Sequence, residues 1–390
     1  MKNSSFFKLT FWKAVGTVIF LVGAYSAFLR FTQGLGATTH LSDKIPWGLW
    51  IGFDFIGVGL AAAGFTIAAT VHIFNVHKFE PIVRPSILIA YVGYSLVVLL
   101  LIVDLGRPEN FWHPLIMWNH HSVMFEITWC IICYTTVLTL EFAPVVLEKF
   151  NLHAPKKLLR KISIPVVIAG VLFSTLHQSS FGSLYLIVPG LLHPLWYSSL
   201  LPVHFYLSCI GAGLSMVVFS SYMNARAFNT SLKMDILRTL AKVIWIALII
   251  AFVVKVLDLG FSNKLGLLFL PGYETYMFWL EMLAGSIAPI ILLSVPKFRE
   301  SKMWLYFISI LTISGFVLNR LNVTVTGLTA KAGETYFPSF HEISTTMAIV
   351  VVGLFAFSTV IKYFSVFEEE GSEHEEDHSK TEAVEALPGK

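Results

Sequence analysis

The amino-acid sequence predicts an all-α integral membrane protein with ten transmembrane helices. Composition is the first reason: 56% of the 390 residues are apolar, only 13% are charged, and the mean hydropathy is +0.73. A soluble chain carries about a quarter charged residues. The second is distribution, because the apolar excess falls in runs of about 20 residues, the length that spans about 30 Å of hydrocarbon. The third is punctuation by proline and glycine between runs, as in His113-Pro114, Pro189-Gly190 and Pro271-Gly272.

In chain order, the first run (14–31) follows the basic segment Met1–Lys13 and has no small-residue cleavage site after it, so it is expected to be kept as a span. The next spans are expected at 47–74, 85–104, 122–147, 162–181 and 202–225. The last four are expected at 237–258, 273–295, 303–321 and 343–364. From Glu368 the chain turns acidic and poor in apolar residues, which predicts a disordered tail over 368–390 after a membrane domain over 1–367. Met124-Phe125-Glu126 and Met277-Phe278 with Glu281 each open a Glu-bearing helix that later meets Ala-Pro, a faint sign of duplicated bundles.

Charge sets the orientation. With the N-terminus cytoplasmic, the inner segments hold 20 of the 27 Lys and Arg residues, with the densest group at Lys149, Lys156, Lys157, Arg160 and Lys161. Cytoplasmic loops collect Lys and Arg, so both termini are expected on the cytoplasmic side of the inner membrane. The net charge of +3 gives no nucleic-acid signature. Cys130, Cys133 and Cys209 all lie inside apolar runs, too few and too buried for a disulfide framework or an iron–sulfur cluster. No residue group reads as a metal site.

Ionisable groups in lipid are costly and usually functional. At 1.5 Å of rise per residue, Asp54, Glu126 and His177 fall in the outer third of their spans, at one level. Asp104 and Arg107 end the third span on the same side, close enough in sequence to form an interfacial pair. A neutral imidazole can donate to a quinone carbonyl, and a nearby carboxylate can deliver or accept the accompanying proton. Asp54, Glu126 and His177 are therefore the candidate catalytic set. Trp47 and Trp50 flank the entrance and serve as interface belt residues or as ring contacts, and Gln178 and Ser180 follow His177 on its helix. Glu141 lies at the inner end of the Glu126 helix on a similar face, so the two acids could feed a proton path. In the second half, Lys255 and Asp258 sit one turn apart and could neutralise each other, and Arg320 is a candidate partner for the deep Glu281. A haem requires two facing histidines, and no pair is expected at matched depth in mid-membrane.

These residues lie in stretches that resemble the NrfD/PsrC/HybB family of quinone-interacting membrane subunits, nearest to the HybB subunit of uptake hydrogenases. The stretches are Pro46-Trp47-Gly48-Leu49-Trp50-Ile51-Gly52-Phe53-Asp54, Pro81-Ile82-Val83-Arg84-Pro85, Asp104-Leu105-Gly106-Arg107, Val123-Met124-Phe125-Glu126 and Leu140-Glu141-Phe142-Ala143-Pro144. They continue as His177-Gln178-Ser179-Ser180-Phe181-Gly182-Ser183-Leu184, His193-Pro194-Leu195-Trp196, Met277-Phe278-Trp279-Leu280-Glu281 and Tyr336-Phe337-Pro338. The resemblance implies two four-helix bundles with two further helices, no haem or iron–sulfur cluster of its own, and exchangeable menaquinone near the outer surface. It also implies a docked ferredoxin-like iron–sulfur subunit and a catalytic redox subunit on that face, while Glu141 and Glu281 are the candidate proton-path acids by their position. By itself such a chain is not a catalyst. A proton-translocating module, or an anchor without quinone chemistry, is the competing expectation.

The orientation is testable in a cysteine-free background. Lys157→Cys should react with an impermeant maleimide only from the cytoplasmic side, and Leu191→Cys only from the outside. Equal labelling of both from outside would overturn the charge-based topology.

Overall fold

A computed structural model describes residues 11–188, 190–228, 232–364 and 366. The tail 368–390 expected to be disordered lies outside the described residues. Ten helices in the described residues are long and apolar enough to cross a membrane: α1 (Phe11–Gln33), α2 (Leu49–His72), α3 (His77–Asp104), α4 (Val123–Lys149), α5 (Ser163–Ile187), α6 (Leu201–Ala227), α7 (Met234–Phe261), α8 (Tyr273–Ser294), α9 (Lys302–Ala332) and α10 (Phe340–Tyr363).

Helices α2 to α5 close one four-helix bundle, each packing on the next and α5 returning to α2. Helices α6 to α9 close a second in the same way, and the two bundles meet where α6 packs on α2 and α5 and where α9 packs on α2. Helices α1 and α10 pair with one another and lie against α3. Ser26 and Ser344 seal that pair with a hydroxyl bond of 2.8 Å. The two bundles and the two flanking helices are thus as expected.

Helix α2 is the centre, with 78% of its apolar window buried. In a bundle without water, close backbone approach and satisfied hydrogen bonds replace the hydrophobic drive. Gly315 of α9 shows how close: a Cβ there would lie 2.1 Å from the backbone of Gly285 in α8. The same two helices each carry one π-helical turn, at Leu283–Ile287 and Asn322–Thr326. Such turns are rare and concentrate at functional sites.

The ends of α2, α3 and α10 are tied by buried polar groups. Arg30, in the last turn of α1, donates from Nε to Val103 O at 2.6 Å and from Nη2 to Leu105 O. A guanidinium on the last carbonyls of α3 satisfies groups the helix cannot bond itself and suits its negative dipole end. The expected Asp104–Arg107 pair is absent: Arg107 is exposed, and Arg30 is the cation acting on Asp104. Physically, the chain leaves the helix after Asp104, so Arg107 no longer shares its face.

Helix α10 starts with a reciprocal cap, in which Ser339 Oγ accepts from Glu342 N and the Glu342 carboxylate accepts from Ser339 N.

Candidate functional site

The end of the first bundle that holds the N-termini of α2 and α4 and the C-termini of α3 and α5 carries most of the expected residues. Asp54, one turn after Trp50 on α2, is 1% exposed, and neither carboxylate oxygen has a hydrogen-bond partner. His177 on α5 is fully buried; Nδ1 meets Tyr94 Oη at 3.3 Å, while Nε2 has no partner. The hydroxyl of Tyr185, also fully buried, is likewise unpartnered.

An aromatic layer includes the Tyr185 ring and adjoins His177. Phe55 stands 4.4 Å from Phe181 and 6.1 Å from Tyr185 between ring centroids, and Trp47 meets Tyr185 edge-on at 5.3 Å. His177 packs on Phe181 at 4.4 Å. The i, i+4 spacing of His177 and Phe181, and the fourth position after that at Tyr185, places all three on one face of α5.

The expected single level splits in two. Gln178 Nε2 donates to Val58 O at 2.9 Å, so the His177 turn lies level with Val58, one turn beyond Asp54 along α2. Glu126 stands apart from both: its side chain is exposed and accepts from Ser180 Oγ at 2.6 Å. No hydrogen bond joins Asp54, Glu126 and His177 to one another among the described residues. Glu126 lies in the first turn of α4, and its helical phase leaves it exposed beside Ser180 of α5. Trp50 is no belt residue. It is 1% exposed and donates from Nε1 to Glu342 O at 3.2 Å.

That contact belongs to a group that sequence reasoning missed. Tyr336 Oη accepts from Leu49 N at 2.9 Å and donates to Glu342 Oε1 at 2.5 Å, while His40 N and Ser339 N donate to Glu342 Oε2. Gly48 makes room, since a Cβ there would lie 2.2 Å from the Tyr336 hydroxyl. Burial, then the bond to Glu342, pushes the Tyr336 phenol above its usual value, so it stays protonated as the donor. This lock holds the first turn of α2, and with it the approach to Asp54. The signal was present as Ser339-Phe340-His341-Glu342, the capping-box pattern.

The second bundle holds its acids differently. Glu281 accepts from Trp196 Nε1, Asn319 Nδ2 and Asn322 Nδ2, the last at 2.7 Å. The expected direct pair with Arg320 is replaced by Asn319, which lies between them. Lys255 and Asp258 also part company: Asp258 binds His204 Nε2 at 2.8 Å and Ser198 Oγ at 2.7 Å, and Lys255 reaches Leu195 O at 3.4 Å. A cavity of about 90 Å³ lies among these groups, lined by His204, Lys255, Glu281 and Asn319.

Glu141 lines a larger cavity of about 480 Å³ at the opposite end of the first bundle, with His72, Arg84 and Glu148 on its walls and Lys156 and Arg160 of the short helix His153–Lys161 over it. For a haem, His177 and His204 are the histidines on neighbouring helices at this end, but His204 Nε2 is taken by Asp258. They do not offer two free imidazole nitrogens to one iron. No group of three or more metal-binding side chains occurs among the described residues.

The family model for polysulphide reductase, NrfD, matches residues 37–332. A Ni/Fe-hydrogenase 2 subunit of Escherichia coli (strain K12), named as a probable b-type cytochrome subunit, is 31% identical over 92% of this chain and 92% of its own. The integral membrane subunit of a menaquinone reductase from Nitratidesulfovibrio vulgaris is 28% identical over 95% of this chain and 94% of its own. A second protein of that organism, with no function in its name, is 37% identical over 85% of this chain and 88% of its own.

Removing the Tyr336 hydroxyl tests the lock. Tyr336→Phe strands Leu49 N and one Glu342 oxygen, which should cost about 1–3 kcal/mol and lower the melting temperature of the purified chain in detergent. An unchanged melting temperature would mean that the first turn of α2 is held by other means.

Proposed function

The chain belongs to the polysulphide reductase NrfD family, and from that premise we propose that it is the membrane subunit through which a respiratory oxidoreductase complex exchanges electrons with a quinone. One observation carries the reading: Asp54 is buried with both oxygens unpartnered, and two further buried polar atoms in the same bundle, His177 Nε2 and the Tyr185 hydroxyl, also lack partners. A buried polar atom without a partner costs about 1–3 kcal/mol. Three such side chains toward one end of one bundle, two of them against aromatic rings, are better explained by a ligand that bonds them.

A naphthoquinone headgroup meets that description, with a flat ring for Phe55, Phe181 and Trp47 and two carbonyl oxygens for polar donors. Menaquinone is the member of this class favoured by the name of one relative. Each quinone that becomes quinol takes up two electrons and two protons. In this reading His177 Nε2 holds one quinone oxygen and Asp54 supplies or accepts a proton at the other. Glu126 with Ser180, and Asp104 near Arg30, form the polar mouth, while Gln178 orients the His177 turn and Trp50 the Asp54 turn. Glu141 and Glu281 are the acids available for proton movement, with the large cavity beside Glu141 open to the basic inner end.

The electrons arrive from an iron–sulfur subunit docked, with a catalytic redox subunit, on the Asp54 end. The Lys and Arg distribution assigns that end to the outside and both termini to the cytoplasm, with the membrane domain over 1–367. The donor set around His177 and His204 does not suit a resident haem, despite the cytochrome in one relative's name.

The test is equilibrium binding of 2-heptyl-4-hydroxyquinoline N-oxide, a fluorescent quinone-site probe, to the purified full chain. His177→Ala and Asp54→Asn should each weaken binding about tenfold to a hundredfold, the equivalent of about 1–3 kcal/mol. Glu300→Gln, an exposed position at the far end, should bind as the parent does. The same preparation should show no Soret band. Parent-like affinity in both site variants would sink the assignment, and a stoichiometric b-type spectrum would overturn the cofactor-free reading.

A further inference from the structure

An unbroken line of hydrogen bonds crosses between the two bundles. It starts at Gln178, the residue after His177. The Gln178 amide is fully committed: Nε2 donates to Val58 O on α2 at 2.9 Å, and Oε1 accepts from Cys209 Sγ on α6 at 2.7 Å. Cys209 Sγ in turn accepts from Arg320 Nη2 on α9 at 3.4 Å. The other arm of Arg320 donates from Nη1 to Asn319 Oδ1 at 2.6 Å, and Asn319 Nδ2 donates to Glu281 Oε1 at 3.1 Å. Gln178, Cys209, Arg320 and Glu281 are all buried.

Arg320 is the source of both arms. Its guanidinium sits 3.8 Å from the Phe205 ring centroid and 4.4 Å from that of Phe316, and Nη2 also donates to Phe205 O and Ser208 Oγ. Its position is therefore fixed by α6 and α9 together. Between Arg320 and Glu281, the Asn319 amide has one allowed orientation, with oxygen toward the guanidinium and nitrogen toward the carboxylate.

That orientation depends on the charge of Glu281. A Glu281 protonated on Oε1 presents a hydroxyl toward Asn319, which offers only an amide nitrogen there, not the acceptor the hydroxyl needs. Turning the amide over satisfies Glu281 but sets NH₂ against Arg320, which then loses its shortest bond. The Asn319 amide is thus a two-position element of the kind that coupling between sites requires. Room for the change exists in the cavity of about 90 Å³, and π-helical turns border Glu281 and Asn319 on both helices. The other charged groups facing Glu281 are Lys255 on α7 and His204 on α6, the latter held by Asp258 of α7.

We propose that Cys209 and Arg320 are positioning residues that couple the charge state of Glu281 in the second bundle to the His177–Gln178 turn in the first, and so set ligand affinity there. The proposal rests on the quinone-site reading for its ligand, but its geometry stands without it. Deprotonated Glu281 holds Arg320 toward Cys209 and keeps Gln178 in place. Neutral Glu281 frees the Nη1 arm of Arg320, lets the guanidinium shift against Cys209, and loosens the turn that carries His177.

A double-mutant cycle on the full chain decides it. Glu281→Gln, a permanent neutral mimic, should weaken binding of 2-heptyl-4-hydroxyquinoline N-oxide about fivefold, within the usual range of coupling between sites. In a Cys209→Ala background the same change should have no further effect, and Cys209→Ser, which can still donate and accept, should restore it. An equal effect of Glu281→Gln in both backgrounds, or none in the parent, overturns the coupling. If the parent chain does not bind the probe, the quinone-site reading falls, and the melting temperatures of the same four proteins decide the coupler. Unlinked sites should shift melting additively. Non-additive shifts support the line, and additive shifts overturn it.

Discussion

Lipid offers no hydrogen bonds, so every polar atom that enters this bundle must be satisfied by the protein or by something the protein binds. The architecture follows from that constraint. Arg30 closes the exposed carbonyls of α3, Tyr336 and Glu342 close the start of α2, and Gln178 ties α5 to α2 and α6. The Arg30 and Tyr336 ties join parts of the chain far apart in sequence, and with the Gln178 tie they link α1, α2, α3, α5, α6 and α10.

The two bundles meet the constraint in opposite ways. In the second, Glu281 has three donors, Asp258 has a histidine and a serine, and Arg320 spends its two Nη groups on four partners. In the first, Asp54, His177 Nε2 and the Tyr185 hydroxyl remain open, with aromatic rings packed edge-on against His177 and Tyr185. The second network is closed except at Arg320 Nε and so stabilises and orients, whereas the open groups of the first need a ligand to complete them. That asymmetry separates the bundle proposed to hold quinone from the one proposed to sense charge.

Much of this was legible in the sequence because span length and depth are one-dimensional properties. Apolar runs located all ten helices, and counting residues from each end placed Asp54 and His177 inside helices, where both are buried. Helical phase and partner choice are not one-dimensional. Glu126 lies in the first turn of α4 and is exposed, and Arg320 reaches Glu281 only through Asn319, which apolar periodicity cannot reveal. Cys209 looked like one more small core residue. Its role between Gln178 and Arg320 depends on which bundle faces which. Glu342 could have been found, because the serine three positions before it is a local signal for a helix start.

The central claim is that the open polar groups of the first bundle hold a quinone ring, and photoaffinity labelling tests it most directly. A photoreactive azido-naphthoquinone, irradiated with the purified chain and mapped by mass spectrometry, should attach within residues 47–58 of α2 and 177–185 of α5. Excess menaquinone should suppress that labelling. Attachment confined to α7, α8 and α9, or to the lipid-facing sides of α1 and α10, would contradict the account.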